Sequence, residues 1–387
     1  MLSRRTAWDL SPNRLARRQE ELRAAGRDLL DLAESNPTRC GLAWPAEELN
    51  ALLADPRVST YEPTPEGLPD ARAAVAEYLL DHGAEVPPDR VLLTSSTSEA
   101  YALLFKLLCD PGDEVLVPAP SYPLLDLLAG LESVTLARYP LRYDGEWHLD
   151  RGALAAAVGP RTRALVAVSP SNPTGYVLGP DDLAFLEAFC AERNLALLGD
   201  EVFLDTAGAP RVTVASARGC LAFHLSGLSK VCGLPQLKAG WIAAAGPEPL
   251  VRPALERLEV VADTWLSVSA PAQLALPALL ARRERFLAPL RARLEENRRA
   301  AAREAAGAPF DLLRSRGGWA AVLRLGEAVD EEAVCLALLE EGVVAQPGFF
   351  YDFERNGHLV ISLLPDPARF ADGISRIGAV LRYKRAQ

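Results

Sequence analysis

The chain of 387 residues is 49% hydrophobic, which is enough for roughly two to three domains with large buried cores. Its 51 acidic and 41 basic residues give a net charge of −10, which disfavours nonspecific binding to nucleic acid or to an anionic membrane surface. The six cysteines show no Cys-x-x-Cys spacing, so neither a disulfide framework nor a metal site is expected.

Two further features concern location. Residues 1–27 are rich in Arg and Glu and lack an apolar core, and no apolar run elsewhere approaches about 18 residues. We therefore expect a protein that is neither secreted nor membrane-spanning. Scattered cysteines are typical of free thiols in a reducing cytoplasm, so a cytoplasmic location is predicted.

Short apolar runs alternate with helix-like segments between residues 90 and 245, which is the pattern of a sheet covered by helices. Helices are predicted over residues 99–108 and 181–193. The strands predicted in chain order are residues 91–94, 114–117, 134–137, 164–168, 195–198, 221–225 and 241–245. The expected fold is an α/β domain with three layers, α/β/α, around a mostly parallel sheet.

The character of the chain changes after Glu248, where long Ala/Leu/Arg/Glu segments predict helices, most strongly over residues 284–306. Strands at 320–325 and 358–364, a turn or hinge at Gly317-Gly318 and a last helix at 367–383 complete a smaller α+β unit. We predict that residues 40–285 form the large domain. Residues 1–39 and 286–387 then form the small one.

Four polar residues follow the carboxyl ends of predicted strands, where open α/β sheets place their ligands: Ser96, Asn172, Asp200 and Lys230. A lysine delivered into a cleft becomes a nucleophile when desolvation or nearby charge lowers its pKa. The plainer alternative for Lys230 is a solvated loop lysine. The other three residues help to choose between these interpretations.

Pyridoxal phosphate needs an amine for its aldehyde, an acid for its pyridine nitrogen and donors for its phosphate. Lys230 and Asp200 would supply the first two. Ser96, Thr97 and Ser98 open a predicted helix, where unpaired amides and the helix dipole favour a phosphate. Ordinary helix capping is the alternative for the serines, and a cap or solvated turn is the alternative for Asp200.

Two more residues would complete such a site. Tyr122 would lie over the cofactor ring, unless it only packs in the core. Asn172 would donate a hydrogen bond to the ring oxygen, unless it only forms the turn before Pro173. Their order and spacing carry more weight than any one of them.

The ordered set resembles the class I/II aminotransferases, a family of fold-type I pyridoxal phosphate enzymes, over nearly the whole chain. The motifs that carry the resemblance are Tyr61 to Leu68, Thr94 to Ala100, Pro120-Ser121-Tyr122-Pro123, Ser171-Asn172-Pro173-Thr174-Gly175, Asp200-Glu201-Val202-Phe203, and Gly227 to Lys230 with Gly240-Trp241.

The resemblance implies an aminotransferase that moves an amino group between an amino acid and a 2-oxo acid. It implies that Lys230 forms the Schiff base and carries the proton, that Asp200 binds the pyridine nitrogen, and that Asn172 binds the ring oxygen beneath a stacked Tyr122. It also implies a homodimer in which Tyr61 reaches the partner's site. The residues implied around the phosphate are Ser96, Thr97, Ser98, Ser226, Ser229 and Lys238.

Three positions depart from the family pattern. Phe203 stands where the family usually has a tyrosine that binds the ring oxygen, and Lys238 stands where it has a phosphate-binding arginine. Val360 stands where it has the arginine that pairs with the substrate carboxylate. The residues predicted to replace that arginine are Ser35, Asn36, Asn172 and a cation such as Arg355 or Arg324. Two alternatives stay open: backbone amides bind the carboxylate, or the substrate is not an ordinary α-amino acid.

Two rival functions remain open from the sequence. One is a different pyridoxal phosphate reaction on the same fold: β-elimination, decarboxylation or oxidative deamination. The other is a non-catalytic cofactor-binding module of a transcription regulator, which the negative charge and the lack of a basic helix-turn-helix region disfavour.

Overall fold

The structure, a computed structural model, describes residues 2–208, 212–266 and 268–385. Within these ranges the strands form an eight-stranded sheet, a four-stranded sheet and a two-stranded pair. The strands are β1 (Leu30–Asp31), β2 (Val91–Thr94), β3 (Glu114–Ala119), β4 (Thr135–Tyr143), β5 (Trp147–Leu149), β6 (Thr162–Val168), β7 (Ala196–Asp200), β8 (Ala222–Gly227), β9 (Gly240–Ala245), β10 (Asp311–Leu312), β11 (Ala320–Arg324), β12 (Val343–Val344), β13 (Gln346–Pro347) and β14 (His358–Ser362).

Helices cover the sheets and join them. The α-helices are α1 (Arg14–Ala24), α2 (Ala46–Leu53), α3 (Pro69–Asp81), α4 (Thr97–Leu108), α5 (Leu124–Leu131), α6 (Arg151–Ala156), α7 (Pro180–Arg193), α8 (Leu228–Val231), α9 (Glu248–Asp263), α10 (Ala270–Ala281), α11 (Glu284–Ala305), α12 (Glu331–Glu340) and α13 (Pro367–Arg385). Short 3-10 helices lie at Arg4–Thr6, Pro37–Arg39, Pro56–Ser59, Pro88–Arg90, Leu204–Thr206, Val214–Ser216, Pro235–Leu237 and Gly348–Tyr351. No described helix is both long and apolar enough to cross a membrane.

The large sheet has the order β2-β9-β8-β7-β6-β3-β4-β5. Its strands β8, β7, β6, β3 and β4 are parallel, β9 runs antiparallel to both β2 and β8, and β5 pairs antiparallel with β4. The predicted, mostly parallel sheet is therefore confirmed. Because β2 runs in the direction of β8, the carboxyl ends of β2, β3, β6, β7 and β8 meet at one edge.

Alternate residues of the central strands pack on opposite faces of the large sheet. Val166 of β6 joins a core with α4, α5 and α9, whereas its neighbour Leu165 joins a core with α7. Both side chains are fully buried. Helices thus cover both faces, which gives three layers. Strand β4 extends six residues beyond the predicted end because Leu141 to Tyr143 pair with β5.

The smaller unit combines the two ends of the chain. Strands β10, β11, β14 and β13 form its antiparallel sheet, and α11, α12 and α13 pack beside them. Near the amino terminus, β1 pairs in parallel with β12, and Leu15 and Leu22 of α1 join the same buried cluster as Leu338 of α12. This packing is what the assignment of residues 1–39 to the small domain would require. The boundaries at 39/40 and 285/286 themselves stay a prediction.

Candidate active site

Lys230 lies in the short helix α8, directly after β8 ends at Gly227. Its Nζ lies 4.5 Å from the ring centroid of Trp319 and 5.7 Å from that of Phe203. Burial lowers the pKa of Lys230 to about 8, although the Asp200 carboxylate opposes this shift. About a tenth of the amine is therefore unprotonated at pH 7, far more than for an ordinary lysine, and the unprotonated amine is the nucleophilic form.

Asp200 ends strand β7, at the same edge of the sheet. Its Oδ2 accepts a hydrogen bond of 3.0 Å from the Tyr101 hydroxyl, and its Oδ1 accepts one of 3.4 Å from the backbone N–H of Val202. Burial raises the pKa of Asp200, whereas Tyr101, the Val202 amide and the nearby His224 lower it. These donors favour the carboxylate form, whereas burial favours the protonated form and sets the net direction of the shift.

Sequence reasoning missed Tyr101. It lies on α4, which is otherwise apolar on its buried side, and its ring is almost fully buried. A buried phenol almost always finds a hydrogen-bond partner, so a tyrosine within an apolar helical stripe signalled a polar group on a facing strand. The sequence did not show that this group belongs to Asp200.

The turn between β2 and α4 behaves as a capped helix start. The Ser96 hydroxyl accepts a hydrogen bond of 3.1 Å from the N–H of Glu99, and the Glu99 carboxylate accepts one of 2.5 Å from the N–H of Ser95. The capping alternative is thus present for Ser96. The first-turn amides, including those of Thr97 and Ser98, have no partner within an α-helix and remain suitable donors for an anion.

A second element approaches this helix start closely. A Cβ built on Gly240 of β9 would lie 3.0 Å from the carbonyl oxygen of Ser226 and 3.3 Å from the carbonyl carbon of Ser96. The Ser226 hydroxyl is buried, and within the described residues nothing lies within hydrogen-bond distance of it. Ser229, the residue before Lys230, is only partly buried. The result is a polar cradle walled by backbone at the edge of the sheet.

The loops after β3 and β6 extend the site along this edge. Tyr122 is 50% exposed, so its side chain is only half buried. Asn172 lies in a turn closed by a hydrogen bond of 2.8 Å from the N–H of Gly175 to the carbonyl of Ser171. A Cβ on Gly317 would lie 2.5 Å from Pro170, so the segment before Trp319 packs directly on this turn.

Two predicted cofactor residues lie on the surface of the single chain. Lys238 is exposed, with a left-handed backbone (φ 53°), two residues before Gly240. Tyr61 is 74% exposed. The backbone of Lys238 is thus close in sequence to the cradle, and Tyr61 points away from the chain's own core.

The loop that carries Ser35 and Asn36, the two residues predicted to bind substrate, runs beside the small-domain sheet. The carbonyl of Leu32 accepts a hydrogen bond of 2.6 Å from the N–H of Ser362, at the end of β14. Ser35 is exposed, and the Asn36 side chain accepts a hydrogen bond of 3.0 Å from the N–H of Thr38, which shapes a turn. The loop is near the end of β14 that adjoins Trp319, whose carbonyl accepts from the N–H of Leu363 at 2.7 Å.

The structure does not bring the predicted replacement cations to Lys230. Arg324 pairs with Asp311, and Arg355 pairs with Glu327, with both guanidinium groups largely exposed. Arg324 pairs with His358, the first residue of β14. The other end of β14, which adjoins Trp319, lies four residues or about 13 Å away. Arg355 lies before β14 begins. The prediction that Arg355 binds substrate gains no support.

A model of the family described as aminotransferase class I and II matches residues 27–377. The chain belongs to the class I and II aminotransferases. It is 29% identical to the alanine aminotransferase of Mycobacterium tuberculosis over 373 residues, which cover 93% of this chain and 87% of that protein. It is 26% identical to the glutamate–pyruvate aminotransferase of Haemophilus influenzae over 382 residues, with 93% and 92% covered.

Solved structures agree on the fold of this aminotransferase. An alanine aminotransferase from Pyrococcus furiosus superimposes with a TM-score of 0.91 at 22% identity, covering 99% of this chain and all of that one (100%). An aspartate aminotransferase mutant from Thermus thermophilus gives a TM-score of 0.84 at 23% identity, with 98% and 99% covered. At such identities the likeness shows fold-type I architecture alone.

These comparisons confirm three predictions: the family, the fold class and amino-group transfer with pyridoxal phosphate between an amino acid and a 2-oxo acid. The relatives from Mycobacterium tuberculosis and Haemophilus influenzae are both described as aminotransferases, so the rival reactions on this fold lose support. The residues of this aminotransferase also fit the cofactor. The carboxyl edge of the large sheet supplies a partly unprotonated amine, a carboxyl group that accepts a hydrogen bond from Tyr101, and a buried hydroxyl without a hydrogen-bond partner among the described residues.

Proposed function

We propose that this aminotransferase acts on a small neutral amino acid, with L-alanine as the first donor to test, and that Lys230 is its catalytic lysine. The observation that carries the proposal is the position of the Lys230 amine, which lies against the ring pair of Trp319 and Phe203 and within the electrostatic influence of Asp200. Alanine is suggested by the names of the relatives from Mycobacterium tuberculosis and Haemophilus influenzae.

Pyridoxal phosphate, when bound, supplies an aldehyde that carries the amino group and a ring that withdraws electrons from the substrate. In the proposed arrangement Asp200 would face the ring nitrogen and hold a proton there, and the Tyr101 hydrogen bond would favour its carboxylate form. Lys230 would hold the cofactor and would move a proton at the substrate α-carbon. A pKa of about 8 suits both proton uptake and proton release near neutral pH.

The phosphate would lie in the cradle between the start of α4 and the end of β8. The backbone amides of Thr97 and Ser98 and the hydroxyls of Ser226 and Ser229 would donate to it, with Lys238 as the nearby cation. The unpartnered hydroxyl of Ser226 supports this placement, because a buried polar atom without a partner is costly unless a ligand satisfies it. The Ser96 hydroxyl would keep its capping role.

The remaining predicted residues would orient the ring and the substrate. Tyr122, which is half exposed, would stack on the cofactor ring. Asn172 would donate a hydrogen bond to the ring oxygen. Phe203 would give no second hydrogen bond there, because it has no hydroxyl. Ser35 and Asn36 would close the substrate side, because their loop lies beside the end of β14.

We also propose a homodimer in which Tyr61 completes the partner's site. Its ring is 74% exposed on the single chain. Val58, Trp265 and Leu266 are exposed as well, and the 3-10 helix that carries Val58 packs on α10, which follows Trp265 and Leu266 in the chain. Clusters of exposed apolar side chains are typical of interfaces. The six free cysteines, Cys109 apart, are buried, which fits a reducing compartment such as the cytoplasm.

The proposal is tested with Lys230→Ala and, as a matched control, Lys384→Ala, which removes an exposed amine that donates a hydrogen bond of 3.1 Å to the backbone carbonyl of Ala333 in α12. Lys230→Ala is expected to lose the absorbance of lysine-bound cofactor and at least about 1,000-fold in turnover, since it removes the group that moves the proton. The control keeps both. Native cofactor absorbance in Lys230→Ala would refute the role of this lysine.

Incubating the holoenzyme with L-alanine alone separates transfer from the rival reactions. Transfer converts the cofactor to its amine form and releases one pyruvate per site, and then stops until a 2-oxo acid is added. Continuous product release from alanine alone would show a different reaction. Conversion by other neutral amino acids but not by alanine would correct the proposed donor.

A further inference from the structure

The two faces of the small-domain sheet differ in character. Leu359 and Ile361 of β14 join the apolar core of that domain, so Val360 between them projects from the opposite face. Val360 pairs with Val322 of β11 on one side and with Gln346 of β13 on the other. Residues directly opposite in an antiparallel pair share a face, so Val322, Val360 and Gln346 form one row.

This row adjoins the loop that carries Tyr122. The Tyr351 hydroxyl donates a hydrogen bond to Oε1 of Gln346. The carbonyl of Tyr351 in turn accepts a hydrogen bond of 2.9 Å from the N–H of Ser121, in the loop after β3. Burial raises the pKa of Tyr351, and the proximity of Tyr122 raises it further. Gln346 therefore lies on the face of the small sheet turned towards the cofactor edge of the large one.

The direction of the Tyr351 bond decides what Gln346 can offer. A neutral tyrosine donates its single proton to the carboxamide oxygen, and the raised pKa keeps the phenol neutral at physiological pH. Both N–H groups of Gln346 lie outside this bond and are donors for a ligand. Beside two buried valines, such donors bind an anion more strongly than they would in water.

We propose that the Gln346 carboxamide binds the substrate carboxylate and that Tyr351 is the positioning residue that orients it; this inference rests on the proposed function. A carboxylate accepts hydrogen bonds and donates none, which matches the free N–H groups. The row itself carries no charge. The cations Arg324 and Arg355 pair with Asp311 and Glu327, near the start of β14. A neutral donor pair then replaces the arginine that is missing at Val360.

The test uses Gln346→Glu in the holoenzyme. Glutamate has nearly the same shape and still accepts the Tyr351 hydrogen bond, but it loses both N–H donors and adds a negative charge. Calorimetry with propanoate, which has a carboxylate but no amine to react, is expected to show binding weakened about 10- to 100-fold, the range for a lost hydrogen bond to a charged group. Binding of propanamide should change less than about threefold.

Tyr351→Phe separates positioning from general damage. It is expected to weaken propanoate binding about three- to tenfold and to raise KM for L-alanine by a similar factor with kcat nearly unchanged, because the lost interaction is the same in the ground and transition states. The control is Gln19→Glu on α1, far along the chain from this row. Cofactor absorbance checks that every variant folds and loads normally.

Unchanged propanoate binding in Gln346→Glu overturns the inference. Equal weakening of propanoate and propanamide binding also overturns it, because it would mean that Gln346 only shapes the pocket. If the wild type does not transaminate alanine but Gln346→Glu still loses propanoate selectively, the proposed donor fails while the carboxylate site stands. If alanine reacts and Gln346→Glu behaves as wild type, only the carboxylate site fails.

Discussion

At the scale of single residues, the site depends on burial that is balanced by specific contacts. Burial moves the pKa of Lys230 down and that of Asp200 up, and both shifts favour the uncharged form. The hydrogen bond from Tyr101 opposes the shift at Asp200 by favouring the carboxylate. Phe203, which lacks the hydroxyl expected from the family, packs edge to face on Trp319, with ring centroids 4.9 Å apart. That pair forms the aromatic wall against Lys230.

The lowered pKa of Lys230 predicts that this residue reduces the free energy of unfolding of the protein without cofactor, by an amount that depends on pH. The ordinary value is 10.5 and the folded value is about 8, so the unfolded chain binds more protons between these limits and the free energy of unfolding rises with pH there. Below pH 8 the full cost, on the order of 3 kcal/mol, destabilises the wild type relative to Lys230→Met. This difference should shrink as pH rises from 8 to 10.5.

Urea unfolding of the two apoproteins at a series of pH values measures this difference. Lys384→Met, which removes an exposed lysine of α13, serves as the matched control. A difference between wild type and Lys230→Met that does not vary with pH would show that the folded lysine titrates as it does in water.

At the scale of elements, the turn after Lys230 is held against the long helix α11. Gly233 has a left-handed backbone (φ 65°), and a Cβ there would lie 2.4 to 2.7 Å from three atoms of the Phe286 ring, near the start of α11. Phe286 is buried and belongs to the core of the small domain. Gly233 therefore lets the turn after Lys230 pack directly on the helix that leads into that domain.

Gly233→Ala is expected to destabilise the protein more than its backbone conformation alone explains. The matched control is Gly26→Ala, because Gly26 has a similar φ of 76° but nothing within 4 Å of its Cβ. The control should cost about 1 to 2 kcal/mol of unfolding free energy from left-handed backbone alone. Gly233→Ala should cost about 1 to 3 kcal/mol more from overpacking. Denaturant unfolding compares them, and equal costs would mean that Phe286 moves aside freely.

At the scale of the whole molecule, the two sheets come together around the carboxyl edge of the large one. The amino-terminal strand β1 pairs with β12, while the loop after β1 contacts the end of β14. Both ends of the chain would therefore contribute to the substrate side of the proposed site. The proposed homodimer would add Tyr61 from outside, so that neither active site would be complete in a single chain.

Mixing two inactive variants tests shared sites. Lys230→Ala lacks the lysine of each site, and Tyr61→Ala lacks the residue supplied to the partner. If subunits exchange at equal concentration, about half of the dimers are hybrids with one intact site each, so about a quarter of wild-type activity should return. As a control, Lys230→Ala mixed with the double variant Lys230→Ala/Lys384→Ala restores nothing. Activity that never exceeds the sum of the separate variants would argue against a shared site.

Sequence alone determined the features that depend on local pattern. Apolar runs predicted the strands of the large sheet. The carboxyl ends of those strands predicted one edge that carries Ser96, Asn172, Asp200 and Lys230. Both predictions are possible because a strand and the turn after it are specified by residues that are neighbours in the sequence. Motif spacing then indicated the family, which the comparison over residues 27–377 confirmed.

Tertiary structure decided which distant side chains meet. Tyr101 reaches Asp200 across 99 positions, and Trp319 covers Lys230 from the other domain. The row that places Gln346 beside Val360 exists only through strand pairing, and the same packing leaves Arg355 away from the site. Such contacts depend on how helices and sheets pack on one another. The hydrophobic pattern of a single segment does not specify this packing, because remote segments pair in the way that buries their whole apolar faces.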